Sequence, residues 1–232
     1  MKNNLKLSVI IPVFNEEKTI EKIIEKVVSV EPKNKEIIVI DDYSSDNTRS
    51  ILNELKKRFV FTLILNSKNL GKGACLIKAL ASVTSDIVIP QDADLELDPA
   101  DYIKLMEPIL KSNADVVFGS RFKKPINKNY ILSTLLANRL FTYSINLLYG
   151  GYYTDIMTCY KMCKIEILRS LKLSSRGFNI EPEIACKVLK NKYKVVEVPI
   201  SYNPRRWKEG KKIKWVDTFS ILIAIVKYRF RD

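Results

Sequence analysis

The 232-residue chain carries 39 Lys and Arg against 26 Asp and Glu, a formal charge of +13, with 47% hydrophobic residues and no histidine. That length holds one substantial core, and the missing histidine excludes histidine bases, histidine metal ligands and every Ser-His or Cys-His catalytic arrangement. The charge is uneven: residues 1–118 hold 16 basic and 18 acidic groups, residues 119–232 hold 23 and 8. The second half is therefore expected to meet an anionic partner, whether a phosphate-bearing substrate, a membrane surface or nucleic acid. Cys75, Cys159, Cys163 and Cys186 lack paired metal spacing and read as buried or free thiols in a reducing compartment. The charged N-terminus does not read as a signal peptide, and the apolar run Phe219 to Val226 is far short of the roughly 20 residues that a spanning helix needs.

Leu5 to Val13 reads as a buried strand, and Asn15-Glu16-Glu17 as the acidic opening of a helix. Glu36 to Ile40 is a second strand, followed by Asp41-Asp42-Tyr43-Ser44 and a helix to about Phe59. Phe61 to Leu65 is a third, followed by Asn69-Leu70-Gly71-Lys72-Gly73 and a helix to about Val83. Ile87 to Pro90 and Ala114 to Phe118 complete this half. Strand and helix alternating at this pace predict a parallel sheet whose ligands sit at the carboxyl ends of the strands.

Tyr130 to Tyr149 is a helical stretch crowded with leucine whose only charge is Arg139. A core helix and a helix lying at a lipid interface explain it equally well, with Lys123, Lys124 and Lys128 upstream as headgroup contacts in the second case. Asp155 to Met162 is expected as a short strand, Glu181 to Leu189 as a helix and Val195 to Ile200 as a strand. The basic loop from Tyr202 to Lys212 lies between Val195–Ile200 and a last helix, Trp215 to Tyr228; Trp207 and Trp215 suit a water–lipid boundary.

Gln91-Asp92-Ala93-Asp94-Leu95-Glu96 concentrates three carboxylates at a strand's end, a costly arrangement unless a cation answers it. Asp92 and Asp94, at i and i+2, can offer oxygens to one hard divalent ion, which in turn holds a diphosphate. Other nucleotide chemistries lack their motifs. Gly71-Lys72-Gly73 has no Walker spacing, and Pro12-Val13-Phe14-Asn15-Glu16 has no glycine for a dinucleotide fingerprint. No nucleic-acid recognition module is visible. Acids in the first half and a basic second half suit two phosphorylated substrates brought together.

Val9-Ile10-Ile11-Pro12-Val13-Phe14-Asn15-Glu16, Ile38-Val39-Ile40-Asp41-Asp42-Tyr43-Ser44, Asn69-Leu70-Gly71-Lys72-Gly73, Gln91-Asp92-Ala93-Asp94, Gly119-Ser120-Arg121 and Tyr202-Asn203-Pro204-Arg205 together resemble the inverting family-two glycosyltransferases. More narrowly they resemble the dolichyl- or polyprenyl-phosphate hexosyltransferase branch. The resemblance runs in order from about residue 7 to 215 and departs from the family pattern at Phe14 (commonly Tyr), Tyr43 (Gly) and Glu96 (often Gln).

The resemblance implies a GT-A fold, a Rossmann-like and mostly parallel sheet flanked by helices, with amphipathic interfacial helices in the second half. It implies a single domain over 1–232, with a nucleotide-sugar half (1–118), an acceptor half (119–215) and a C-terminal amphipathic helix (215–232). Pro12, Phe14, Glu16, Ile40, Asp42, Gln91 and Ala93 would bind the donor. Asp92, Asp94 and Glu96 would hold Mg or Mn and the diphosphate, with Asp92, Asp94 and Arg121 catalytic; Arg139, Arg205 and Lys211, with Arg121, would bind phosphates. The implied partners are a nucleotide sugar, GDP-mannose favoured, a polyprenyl or dolichyl phosphate, a membrane surface and a membrane-anchoring partner, with no nucleic acid. The implied location is the cytoplasmic face of a membrane. Such an acceptor also answers the missing histidine: a lipid monophosphate, with a second pKa of roughly 6, is already anionic near neutral pH and needs no strong base.

Overall fold

The computed structural model describes residues 5–125, 130–205 and 216–230. Seven strands form one sheet in the order β3-β2-β1-β4-β6-β5-β7. They are β1 (Leu7–Val13), β2 (Lys35–Asp41), β3 (Thr62–Leu65), β4 (Ile87–Pro90), β5 (Val116–Ser120), β6 (Lys161–Lys164) and β7 (Val195–Pro199). β1 pairs in parallel with β2 and β4, β2 with β3, and β5 with β7; β6 runs antiparallel between β4 and β5. The sheet is the expected α/β type with one inverted strand. β1 and β2 read as near-continuous apolar runs because helices cover both faces.

The helices are α1 (Ile20–Ser29), α2 (Thr48–Arg58), α3 (Lys72–Ala79), α4 (Tyr102–Ser112), α5 (Leu132–Tyr149), α6 (Ile165–Ser170), α7 (Ile180–Lys190) and α8 (Val216–Phe230). Ile23, Leu52 and Leu105, from α1, α2 and α4, fill the core on one face of the sheet. Leu76, Phe141, Ile184 and Ile225, from α3, α5, α7 and α8, fill it on the other. Each buried aliphatic side chain contributes about 1.5–3 kcal/mol.

The elements depart from expectation in three places. Asn15-Glu16-Glu17 does not open a helix: α1 starts at Ile20, and Asn15 adopts φ +51°. The Asn15 and Glu16 amides instead donate to Ser44 and Thr48 hydroxyls, so this segment clasps the loops after β1 and β2 together. The expected strand Asp155 to Met162 becomes β6 at Lys161–Lys164, because the buried Asp155 carboxylate is drawn into bonds with Arg121 and Asn138 rather than along a strand. The helix expected to run to Val83 ends at Ala79 and tightens into a 3-10 turn over Leu80–Ser82.

α5 is both a core helix and an exposed apolar one. It buries Asn138, Phe141, Thr142 and Ile145 while leaving Leu132, Leu136, Leu140 and Leu147 exposed. α8 packs on α5 and α7, with the Tyr149 hydroxyl donating to the Ile225 carbonyl at 2.8 Å. It exposes Phe219, Ile223, Val226 and Phe230. Among the described residues no helix is long and apolar enough to cross a membrane. The segments Phe14–Glu16, Asp42–Ser44, Asn69–Lys72, Gln91–Glu96, Arg121 and Tyr202–Arg205 all follow the carboxyl ends of the parallel strands. They gather on one edge of the sheet, where open α/β folds place their ligands.

Candidate active site

A cavity of about 390 Å³ opens at that edge. β4 leads into Gln91, which is fully buried beneath the cavity. The Tyr102 and Tyr160 hydroxyls both donate to Gln91 Oε1 at 2.6 Å, which turns the amide so that Nε2 donates to the Asp92 carbonyl at 3.0 Å. The following turn is fixed by the Glu96 amide donating to Asp94 Oδ1 at 3.0 Å and by Leu95 at φ +63°. Three carboxylates thereby enter one cavity from six residues of chain.

Each meets a cation or a set of donors. Lys72 Nζ lies 2.6 Å from Asp92 Oδ1 and 3.1 Å from Glu181 Oε1, and Lys161 Nζ lies 2.7 Å from Glu181 Oε2. Arg205 lies 3.0 Å from Asp94 and 3.2 Å from Glu16, and its backbone amide donates to Glu96 Oε1 at 2.9 Å. The Tyr202 hydroxyl donates to the other Glu96 oxygen at 3.1 Å. Burial disfavours the Lys72 ammonium, but Asp92 and Glu181 outweigh that and hold it charged, well above the usual lysine range. Burial likewise opposes ionisation of Asp92, which Lys72 reverses, keeping that carboxyl low. Asp94 goes the other way: burial, then the charges of Asp92 and Glu96, push it up to about 7 despite Arg205.

Arg121 is braced from behind. Its Nε and Nη2 donate to Asp155 at 2.7 and 2.9 Å, and Asn138 donates to the same carboxylate at 2.9 Å. The Tyr202 ring lies 5.1 Å from the guanidinium. Asp42 acts as a clamp, accepting from the Leu70 amide at 2.8 Å, the Gly71 amide at 2.7 Å and the Asn66 side chain at 2.9 Å. Those bonds hold the 69–71 loop, where Gly71 takes φ +91° and a Cβ would meet the Arg176 carbonyl oxygen at 2.5 Å.

Of the residues expected in the site, Pro12, Phe14, Glu16, Asp42, Asp92, Ala93, Asp94, Glu96, Arg121 and Arg205 line the cavity. Ile40 does not: it is fully buried in the core on the α3 side of the sheet, because residues along β2 alternate between faces. Gln91 is not exposed to the cavity and orients its neighbour instead. Arg139 stands exposed on α5, one residue past the inward-facing Asn138, and is not brought to the cavity. Lys211, Trp207 and Trp215 lie outside the described residues. Sequence reasoning missed Lys72, Glu181, Cys159 and Phe178, which also line the cavity. Lys72 lay inside a quoted motif; for Glu181, an acid in the first turn of α7, no sequence signal separates it from an ordinary helix start.

Among the described residues no three His, Cys, Asp or Glu side chains converge as a ready-made metal cluster. The donor set nevertheless fits a hard divalent ion. Mg²⁺ is commonly held by one or two carboxylates together with substrate phosphates, and here three carboxylates enter one cavity within six residues of chain. Asp92, Asp94 and Glu96 would hold an ion that arrives with a diphosphate.

Residues 8–172 match the family model described as glycosyl transferase family 2. The chain is 31% identical over 211 residues to the UDP-N-acetylglucosamine–dolichyl-phosphate N-acetylglucosaminyltransferase of Methanococcus voltae, covering 82% of this chain and 83% of that one. It is 30% identical over 217 residues to the dolichol-phosphate mannosyltransferase of Pyrococcus furiosus, covering 89% of this chain but 59% of that longer protein. Among solved structures, glucosyl-3-phosphoglycerate synthase from Mycobacterium tuberculosis with Mn²⁺, UDP and glucosyl-3-phosphoglycerate superposes with a TM-score of 0.73 at 18% identity, covering 97% of this chain and 80% of that one. The same enzyme has been solved with Mg²⁺ and UDP. The sheet order, the acidic turn after β4 and these matches agree: the chain belongs to glycosyl transferase family 2 and is a glycosyltransferase of the GT-A fold.

Proposed function

We propose that the enzyme moves a hexose, mannose favoured, from a nucleotide sugar to a polyprenyl or dolichyl phosphate with inversion. The observation that carries this reading is Arg205. Among the described residues its buried Nε has no hydrogen-bond partner, Glu96 being 4.0 Å away. A buried donor left unmade costs about 1–3 kcal/mol, and a phosphate oxygen is an acceptor that a guanidinium N–H binds strongly. Arg121 lines the same cavity, so two arginines share it with the acidic turn that would carry the donor diphosphate. The names of the two archaeal relatives, both dolichyl-phosphate transferases, support the same acceptor class.

In this mechanism Pro12, Phe14 and the clamped 69–71 loop position the nucleoside, and Asp92 and Asp94 face the diphosphate. A bound Mg²⁺ or Mn²⁺ would neutralise the departing nucleoside diphosphate. Arg121 and Arg205 align the acceptor phosphate, whose own oxygen attacks the anomeric carbon from the face opposite the leaving group. The half 1–118 serves the donor and the half 119–215 the acceptor. The exposed leucines of α5 and the exposed apolar side of α8, edged by Arg139, Lys227 and Arg229, rest on the cytoplasmic surface of a membrane, where a lipid acceptor is presented.

One observation favours a second reading. A carboxyl near 7, as at Asp94, suits a general base, and would serve transfer to a glycan hydroxyl. The deciding experiment incubates the protein with labelled GDP-mannose, UDP-glucose or UDP-N-acetylglucosamine, Mg²⁺ or Mn²⁺, and a polyprenyl phosphate. Label entering the organic phase supports the lipid acceptor; no transfer there, with transfer to an added oligosaccharide, refutes it.

A further inference from the structure

Behind Asp92 the cavity wall carries a chain of charges of alternating sign: Asp92, Lys72, Glu181 and Lys161, linked at 2.6, 3.1 and 2.7 Å. They sum to zero. Lys161 is fully buried and also donates to the Thr158 carbonyl, so it is an anchor and not a ligand-binding group. Glu181 gives one oxygen to each lysine, and a carboxylate has about four lone-pair sites, so it retains acceptor capacity. Lys72 contacts two carboxylates and retains a third N–H. Phe178 and Met157 line the cavity alongside them.

A phosphate or carboxylate needs net positive charge at its site, and here the attraction of Lys72 is offset by acids on both of its sides. What this wall offers instead is fixed donors and acceptors with no net charge, next to an aromatic ring. That is the chemistry that recognises vicinal hydroxyls. We propose that Lys72 and Glu181 form the hexose end of the cavity, binding hydroxyls of an uncharged hexose and disfavouring a hexuronate. Lys161 holds Glu181 in place for this task. The inference rests on the nucleotide-sugar reading of the cavity and adds to it the residues that meet the sugar and the rejection of a hexuronate.

The test is calorimetric binding to the full chain with Mn²⁺, comparing UDP, UDP-glucose and UDP-glucuronate, and GDP, GDP-mannose and GDP-mannuronate. The unaltered protein should bind its preferred uncharged nucleotide hexose at least about tenfold more tightly than the matching hexuronate. Lys72→Gln keeps the Lys161–Glu181 pair; whatever it loses for the nucleoside diphosphate through Asp92, it should lose about tenfold more for the nucleotide hexose. Glu181→Gln should lose discrimination against the hexuronate. Equal losses for diphosphate and nucleotide hexose in Lys72→Gln would assign Lys72 to the diphosphate and overturn the proposal, as would hexuronate binding equal to hexose in the unaltered protein. Failure of the unaltered protein to bind any nucleotide sugar would overturn the donor reading itself.

Discussion

Arg205 Nη2 donates to Asp94 Oδ2 at 3.0 Å across 111 residues of sequence. The bond ties the loop after β7 to the turn after β4, and the same guanidinium reaches Glu16 after β1. Three strand ends therefore share one cation. Arg205→Ala is expected to lower kcat/KM for transfer by about 10²-fold, the scale of removing one charged donor from a site. Arg205→Lys should recover little of it, because an ammonium does not reproduce the fork. Steady-state kinetics of both variants check this.

Asp94→Ala removes the carboxylate that both the metal and leaving-group roles depend on, and transfer should fall by at least about 10²-fold. Mn²⁺ binding in the presence of the nucleoside diphosphate, followed by electron paramagnetic resonance, should weaken in parallel. Full activity in Asp94→Ala would sink the assignment.

The Arg121–Asp155 pair gives a stability prediction with a pH signature. Burial opposes ionisation of Asp155, yet Arg121 and Asn138 outweigh it and hold the carboxyl below the usual range. A carboxyl depressed by folding contributes stability that is complete above its unfolded value of about 3.9 and is lost as pH falls through the folded one. Asp155→Asn strands the Arg121 charge and should cost about 3–5 kcal/mol near neutral pH. Thermal melts should show the gap between the two proteins constant from neutral down to about pH 5 and closing below about pH 4.

At Gly73, in the first turn of α3, an added Cβ would sit 2.2 Å from the Ser175 carbonyl oxygen. Backbone cannot yield as a flexible side chain can. Gly73→Ala should destabilise by about 1–3 kcal/mol and weaken nucleotide-sugar binding, since Lys72 precedes it; melting and calorimetry report the two effects separately.

For the membrane surface, Leu136→Glu with Leu140→Glu alters two exposed α5 side chains without touching the cavity. Sedimentation with anionic vesicles should fall markedly in the variant, and binding of the unaltered protein should weaken as salt shortens the Debye length from about 10 Å at 0.1 M to 3 Å at 1 M. Turnover of a water-soluble short-chain acceptor should be unchanged. Equal vesicle binding by both proteins would remove α5 from the contact.

Much of the fold was legible because it is local. The β-branched apolar runs of β1, β2 and β4, bounded by polar clusters, and the amphipathic spacing of α1 and α2 are set by residues close to one another along the chain. The acidic turn was legible too, since Asp92, Asp94 and Glu96 are neighbours in sequence and charge concentrated after an apolar strand is conspicuous. β6 was misplaced by several residues because its position depends on where Asp155 finds Arg121, a partner 34 residues away. Arg139 was assigned a phosphate through the family resemblance, yet which face of a helix looks inward is decided by the neighbours that cover it, and here Asn138 turns inward while Arg139 stays exposed.

The sequence by itself determined the chemistry at hand: no histidine base, an acidic turn at a strand end, a basic second half and motifs in family order. Only the tertiary structure decided which charges meet. Lys72, Glu181 and Lys161 are ordinary residues along the chain, and they become one neutral array with Asp92 because α3, α7 and β6 converge beside β4. Ion pairs act over a few ångströms, so their partners are set by packing between elements distant in sequence, whereas strands, helices and turns are set by neighbours within a few residues.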